Sequence, residues 1–244
     1  MPMDQECCSM PVSQRLKEFC TQTKKYQLEW QMLHYAGLTL LILLALELAV
    51  YFVLWKNDPA FLHKRGWWIL YLLLTIVFTA GALWHFKAHR VKVSCMHGMM
   101  IGMTLGVQSG LMLSVVIGST NGMFMGGLLG MLFGVMIGVY AGRCGGIMGI
   151  LEGAMAGVMG GTMGPMIALM MKNDHILWFM PPFMVINILI LLGLSYMVYE
   201  EIAEKGSKAE KMPADFWTFF SYCFILTVTF TLIIVYGYKT AFVA

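Results

Sequence analysis

The sequence predicts an all-α, polytopic membrane protein with about seven transmembrane helices and a triplicated Gly/Met-rich helix repeat. First, the 244 residues are 59% hydrophobic and only 12% charged, with a mean hydropathy of +0.73. A soluble domain is closer to half apolar and a quarter charged. Second, seven apolar runs are long enough to cross the ~30 Å hydrocarbon layer as helices. Third, the stretch His97–Met171 holds 20 of the 26 glycines and 15 of the 24 methionines.

Taken in order, the chain divides into four parts. Residues 1–33 are expected to form a cytoplasmic, amphipathic segment on the membrane surface, with apolar side chains spaced by threes and fours. The alternative is an ordinary helical extension of the first span. Residues 34–95 hold two spans and a basic inner loop, residues 96–171 hold the repeat, and residues 172–244 hold two spans around a charged inner loop. The predicted spans are 34–55, 67–86, 97–118, 122–142, 146–171, 176–198 and 216–236.

The basic residues predict the orientation. The odd-numbered segments flanking the spans carry 11 Lys and Arg, and the even-numbered ones carry 5. The positive-inside rule then places the N-terminus in the cytoplasm and the C-terminus outside, most simply in the cell membrane. Cysteines concentrate on the predicted inner side, which suits reduced thiols rather than disulfides.

The internal repeat is defined by its glycines. Spans 3 and 4 align at an offset of 24 residues, and spans 4 and 5 at an offset of 23. Because the connections are short, neighbouring copies are expected to run antiparallel. Glycines four residues apart form one stripe that lets helix backbones approach closely. The predicted packing glycines are Gly126, Gly130, Gly134, Gly138, Gly149, Gly153, Gly157 and Gly161. The alternatives are a closely packed slab without chemistry and a narrow pathway or oligomer interface.

Methionines form a second pattern. Met155, Met159 and Met163 are four apart, as are Met99 and Met103. The first three are offset by two residues from the glycines of the same span, which turns them to roughly the opposite side. Thioether sulfur is a soft ligand that suits Cu(I). The alternative is that methionine fills space beside glycine.

These MxxxM and GxxxG patterns resemble those of the Ctr copper transporters, in which methionines line the pore and glycines pack the helices. The resemblance covers only these short patterns, since Ctr transporters have three spans and an extracellular Met-rich tail. It implies copper as the ligand of the methionines. A further candidate soft-metal group lies near the predicted inner face and comprises His85, His89, Cys95 and His97. None of its spacings is a closed zinc pattern, and histidines at span ends are often interfacial.

Two carboxylates and one amide lie within the predicted spans. Glu47 and Glu152 are candidates for proton or cation binding, because an ionisable group inside a span is costly. Gln108 is placed to hydrogen-bond either one. The alternative is an interhelical hydrogen bond that serves packing alone.

The sequence therefore predicts a transporter or channel for a soft metal cation, most plausibly Cu(I), along a Met-lined path in the glycine-packed core. Possible copper or another soft metal ion is the only cofactor implied. Two alternatives remain: a structural or assembly protein whose copies associate through glycine stripes, and a metal-independent proton-linked or mechanosensitive channel. The lipid bilayer is the expected partner and nucleic acid is not, because the charge of +3 is small. No catalytic motif is present, so no enzyme is predicted.

Overall fold

A computed structural model of the chain describes residues 27–54, 66–88, 95–204, 216–237 and 239. Within these ranges the regular structure is helical, which confirms the predicted all-α class. The α-helices are α1 (Gln27–Leu54), α2 (Trp67–Ala88), α3 (Cys95–Asn121), α4 (Met123–Gly142), α5 (Gly146–Met170), α6 (Ile176–Glu204) and α7 (Phe216–Tyr236). The amphipathic segment predicted for residues 1–33 lies mostly outside the described residues.

Five stretches of the described chain are long and apolar enough to cross a membrane. One of them, Met123–Met170, contains both α4 and α5, which a short 3-10 turn separates at Arg143–Gly145. Helix α1 contributes a shorter apolar segment, His34–Val50. The chain is therefore compatible with a bilayer as an integral membrane protein, and the count of seven spans stays a prediction.

Two glycines set the helix boundaries inside the Gly/Met-rich stretch. Gly122, between α3 and α4, has a φ of 109°, and Gly146, at the start of α5, has a φ of 72°. Side-chain-bearing L-residues rarely adopt this left-handed region, because Cβ collides with the backbone. The chain can therefore reverse direction over one to three residues at each point.

Contacts show where four helices meet. The rings of Tyr35 and Phe216, near the described starts of α1 and α7, lie 5.4 Å apart, and Glu47 and Thr231 share a hydrogen bond farther along, so these helices run parallel. The ring of Trp84, near the end of α2, lies 6.0 Å from that of Phe219, near the start of α7. Asn121 is the last residue of α3. Its side-chain amide Nδ2 donates to the carbonyl oxygen of Ile233, near the end of α7, at 2.8 Å.

Helix α3 is the centre of the bundle. It contacts α2, α4, α5, α6 and α7, and its middle carries fully buried side chains such as Met112, Leu113 and Ile117. The apolar core continues along α2, α6 and α7. The Gly/Met-rich helices are thereby anchored to the rest of the bundle through α3.

Candidate functional site

Helices α3, α4 and α5 form one closely packed unit, here called the glycine unit. Gly98 near the start of α3 lies beside Gly145 just before α5, and Gly118 near its end lies beside Pro165 near the end of α5. These two helices therefore run parallel. Helix α4 runs antiparallel to both, as the short connections predict.

The interior of the glycine unit is a stack of layers, each with one small residue from every helix. A Cβ placed on Gly106 of α3 would lie 2.8 Å from the carbonyl oxygen of Gly153 of α5 and 3.2 Å from Cα of Gly138 of α4. The layers are Gly102–Gly142–Gly149, Gly106–Gly138–Gly153, Gly110–Gly134–Gly157, Ser114–Gly130–Gly161 and Gly118–Gly126–Pro165. All eight glycines predicted to pack lie in these layers and are buried.

The register of the layers follows the predicted repeat offsets. Partners on α3 and α5, such as Gly106 and Gly153, are 47 residues apart, which is what offsets of 24 and 23 together require. Positions that the predicted repeat treats as equivalent thus lie side by side, and the repeat itself stays a prediction.

Backbone fills the space between these helices. Each glycine lowers helix stability by about 1 kcal/mol relative to alanine. The close approach of the helix backbones offsets this cost through dispersion and Cα–H···O contacts. The glycine stripes therefore contact one another within a single copy. An association between copies would have to use another face.

The methionines of α5 lie on the outer side of the glycine unit. Six of them follow one helical face and are between 48% and 68% exposed; this set, called the methionine row, comprises Met148, Met155, Met159, Met163, Met166 and Met170. Their spacing of seven, four, four, three and four residues keeps them on one stripe. Within one copy they face outward, away from the layers.

The remaining predicted metal ligands are distributed over α2 and α3. Met103 is exposed and Met99 is half-buried on α3, whereas His85 is buried at the end of α2. His97 is half-buried in the first turn of α3. Cys95 begins that helix, and His89 lies outside the described residues. Among the residues that the structure describes, His, Cys, Asp and Glu form no group of three or more that could hold a metal ion.

Glu152 belongs to the face of the methionine row. It is half-buried, four residues after Met148 and three before Met155, so it follows the same helical stripe. Gln108 lies instead on α3, where its side chain is buried, and its side-chain oxygen has no hydrogen-bond partner among the described residues.

Glu47 lies outside the glycine unit. Its carboxylate accepts a hydrogen bond from the hydroxyl of Thr231 of α7 at 3.4 Å. Sequence reasoning missed Thr231 and its neighbour Thr227, because single threonines are unremarkable in apolar helices. The available signal was their four-residue spacing, which matches the spacing of Thr39 and Leu43 before Glu47 on α1.

Comparison of the chain with protein-family models, with curated proteins and with solved structures finds no match.

Proposed function

We propose that the protein is a structural membrane protein that assembles with further copies of itself through the methionine row. The observation that carries this proposal is the outward row of methionines, continuous over six turns of α5, with Glu152 on the same face. Methionine is flexible and polarisable, and it suits a contact surface that must adapt to a partner. The glycine unit supplies a rigid support behind that row.

Glu152 favours a second copy over lipid as the occupant of this face. A carboxyl facing hydrocarbon is costly, and intramembrane carboxyls generally face protein or a water-filled cavity. In a two-fold symmetric pair the same patch meets itself. The two Glu152 side chains would then lie at the same depth and could share a proton through a hydrogen bond.

The association can be measured by energy transfer between two populations of labelled full-length protein, diluted stepwise in lipid vesicles. Replacing Met155, Met159 and Met163 together by alanine is expected to raise the dissociation constant at least about tenfold, which corresponds to about 1.4 kcal/mol over three truncated side chains. The matched control replaces Leu128, Leu132 and Met136 of α4 by alanine. These are also four apart and exposed, and their loss is expected to leave association unchanged. A monomeric wild type, or an equal effect of both variants, would contradict the proposal.

A second candidate function is passage of a soft metal cation, most plausibly Cu(I), along the methionine row between copies. The supporting observation is that three thioethers, Met155, Met159 and Met163, lie one turn apart on one exposed face. Because backbone fills the interior of the glycine unit, a metal path would run along its outer surface, between copies.

Replacing Met155, Met159 and Met163 together by leucine separates this candidate from assembly alone. Leucine keeps the apolar volume but removes the sulfur ligands. For a copper pathway, cells expressing the variant should accumulate copper only at the level of cells without the protein, while energy transfer between copies persists. Unchanged accumulation, or purified wild type without bound copper after Cu(I) loading, would rule the copper pathway out.

We further infer residence in the cell membrane with the N-terminus cytoplasmic and the C-terminus outside. The support is the excess of Lys and Arg in the odd-numbered connecting segments.

A further inference from the structure

Helices α1 and α7 meet along a seam of mostly polar side chains that lies apart from the glycine unit. Each helix contributes three positions spaced by four residues, and these are buried or half-buried. The polar seam comprises Thr39, Leu43 and Glu47 of α1, and Cys223, Thr227 and Thr231 of α7. Leu43 is its one aliphatic member.

The pairing of these positions follows from the helix directions. Glu47 and Thr231 share a hydrogen bond, and α1 and α7 run parallel. Because both helices rise about 1.5 Å per residue, Leu43 and Thr39 lie at the depths of Thr227 and Cys223.

Two hydroxyls of the polar seam depart from the usual behaviour of threonine in a helix. Thr229, on the same helix, donates to the carbonyl four residues earlier at 2.8 Å, and Thr75 and Thr79 do the same on α2. Thr231 instead donates to Glu47. Thr227 is only 3% exposed, and its hydroxyl has no partner among the described residues. A buried hydroxyl without a partner costs about 1–3 kcal/mol, and this one lies a single turn before the hydroxyl that binds Glu47, so it can serve a ligand there.

We propose that the polar seam is a proton-binding site, with the carboxylate of Glu47 as the acceptor. A proton from water adds to one carboxylate oxygen and forms an O–H bond, and its release to water restores the carboxylate. Thr231 donates to the carboxyl in either state. Thr227, one turn away on the same face of α7, supplies the next polar atom along the seam.

On the two helices that contact α1, three titratable side chains are buried. They are Cys223 of α7, two turns from Thr231, and Tyr71 and His85 of α2. Beyond the end of α7 the described basic residue is Lys239, eight residues after Thr231. Glu47 is thus the one carboxyl that the described part of the seam contains.

A proton fits this site better than a hard metal cation does. Calcium takes 6–8 oxygen ligands and magnesium requires an octahedral set, usually with carboxylates. The polar seam offers one carboxylate and the hydroxyls of Thr227 and Thr231 near it. A proton requires only one carboxylate oxygen and a hydrogen-bonding neighbour.

Infrared difference spectroscopy of the full chain in lipid vesicles, recorded over a pH series, tests the proposal. The wild type should show a protonated-carboxyl C=O band that grows on acidification and shifts on exchange into D₂O. Glu47→Gln should lose a component of that band, and the control Asp174→Asn, at an exposed position, should keep it. An unchanged band in Glu47→Gln, or loss of the same component in Asp174→Asn, would overturn the assignment.

A second pair of variants decides the question even if Glu47→Gln does not fold. Thr231→Val should move the band to higher wavenumber, because the carboxyl loses its hydrogen-bond donor, and Thr231→Ser should restore its position. The control Thr229→Val removes a hydroxyl that bonds only within its own helix and should leave the band in place. Equal shifts from Thr231→Val and Thr229→Val, or no shift from either, would refute the site.

Discussion

Gly153→Leu and Gly138→Leu are each expected to prevent the glycine unit from closing. Cβ atoms on these two residues would each collide with the backbone carbonyl group of the other. Overpacking a core typically costs about 1–3 kcal/mol when side chains can move aside. Here the obstructing atoms are backbone, so we expect about 3 kcal/mol or more, a large part of the total stability of a typical protein. Unfolding in graded denaturing detergent, followed by circular dichroism, measures the loss.

The control is Gly193→Leu, in the middle of α6, where an added Cβ meets nothing within 4 Å. Its stability should equal that of the wild type. Alanine at the same two kinds of position should change the free energy of unfolding in opposite directions. Gly193→Ala should leave it unchanged or raise it through helix propensity, whereas Gly138→Ala should lower it. A Gly138→Ala protein as stable as the wild type would show that the layers are not in backbone contact.

Phe133→Ala is expected to loosen the glycine unit from α7. The ring of Phe133 on α4 is 9% exposed and packs edge-on against Phe230, with centroids 5.6 Å apart. Removing a buried phenylalanine costs about 3–5 kcal/mol in soluble cores. In a bilayer the loss is mainly of dispersion contacts, so we expect about 3 kcal/mol in the same detergent titration.

Leu132→Ala is the matched control, because Leu132 is the preceding residue of α4 and is 53% exposed. It should change the free energy of unfolding by well under 1 kcal/mol. A double-mutant cycle of Phe133→Ala with Phe230→Ala should yield a coupling of about 0.5–1.5 kcal/mol, as expected for an aromatic pair. Strict additivity of the two substitutions would mean that the rings do not stabilise each other.

The sequence predicted the helices well because their ends carry strong local signals. Gly122 and Gly146 interrupt long apolar runs, and Trp67, Ile176 and Phe216 each begin one after a polar segment. Gly106 lies beside Gly153 in the glycine unit, a separation of 47 residues that equals the sum of the predicted repeat offsets of 24 and 23.

What covers each helix face could not be predicted in the same way. Helical spacing places Met159 on the side of α5 away from the glycines. Whether another helix of the described chain covers that side depends on tertiary packing, which the spacing does not give. The polar seam was missed for a related reason. Thr39 and Thr227 come from distant parts of the chain, and their common burial is a tertiary property.

Oxidative cross-linking between copies in native membranes tests assembly through the methionine row most directly. Single cysteines are placed at Met155, Met159 or Met163, in a chain whose own cysteines are replaced by serine. The control position is Trp178 of α6, which is 83% exposed. Helices in contact lie about 8–10 Å apart, close enough for cysteines at their interface to join. Covalent dimers from the α5 positions and not from Trp178 are the predicted result. No dimer from any α5 position, or an equal yield from Trp178, would contradict assembly through this face.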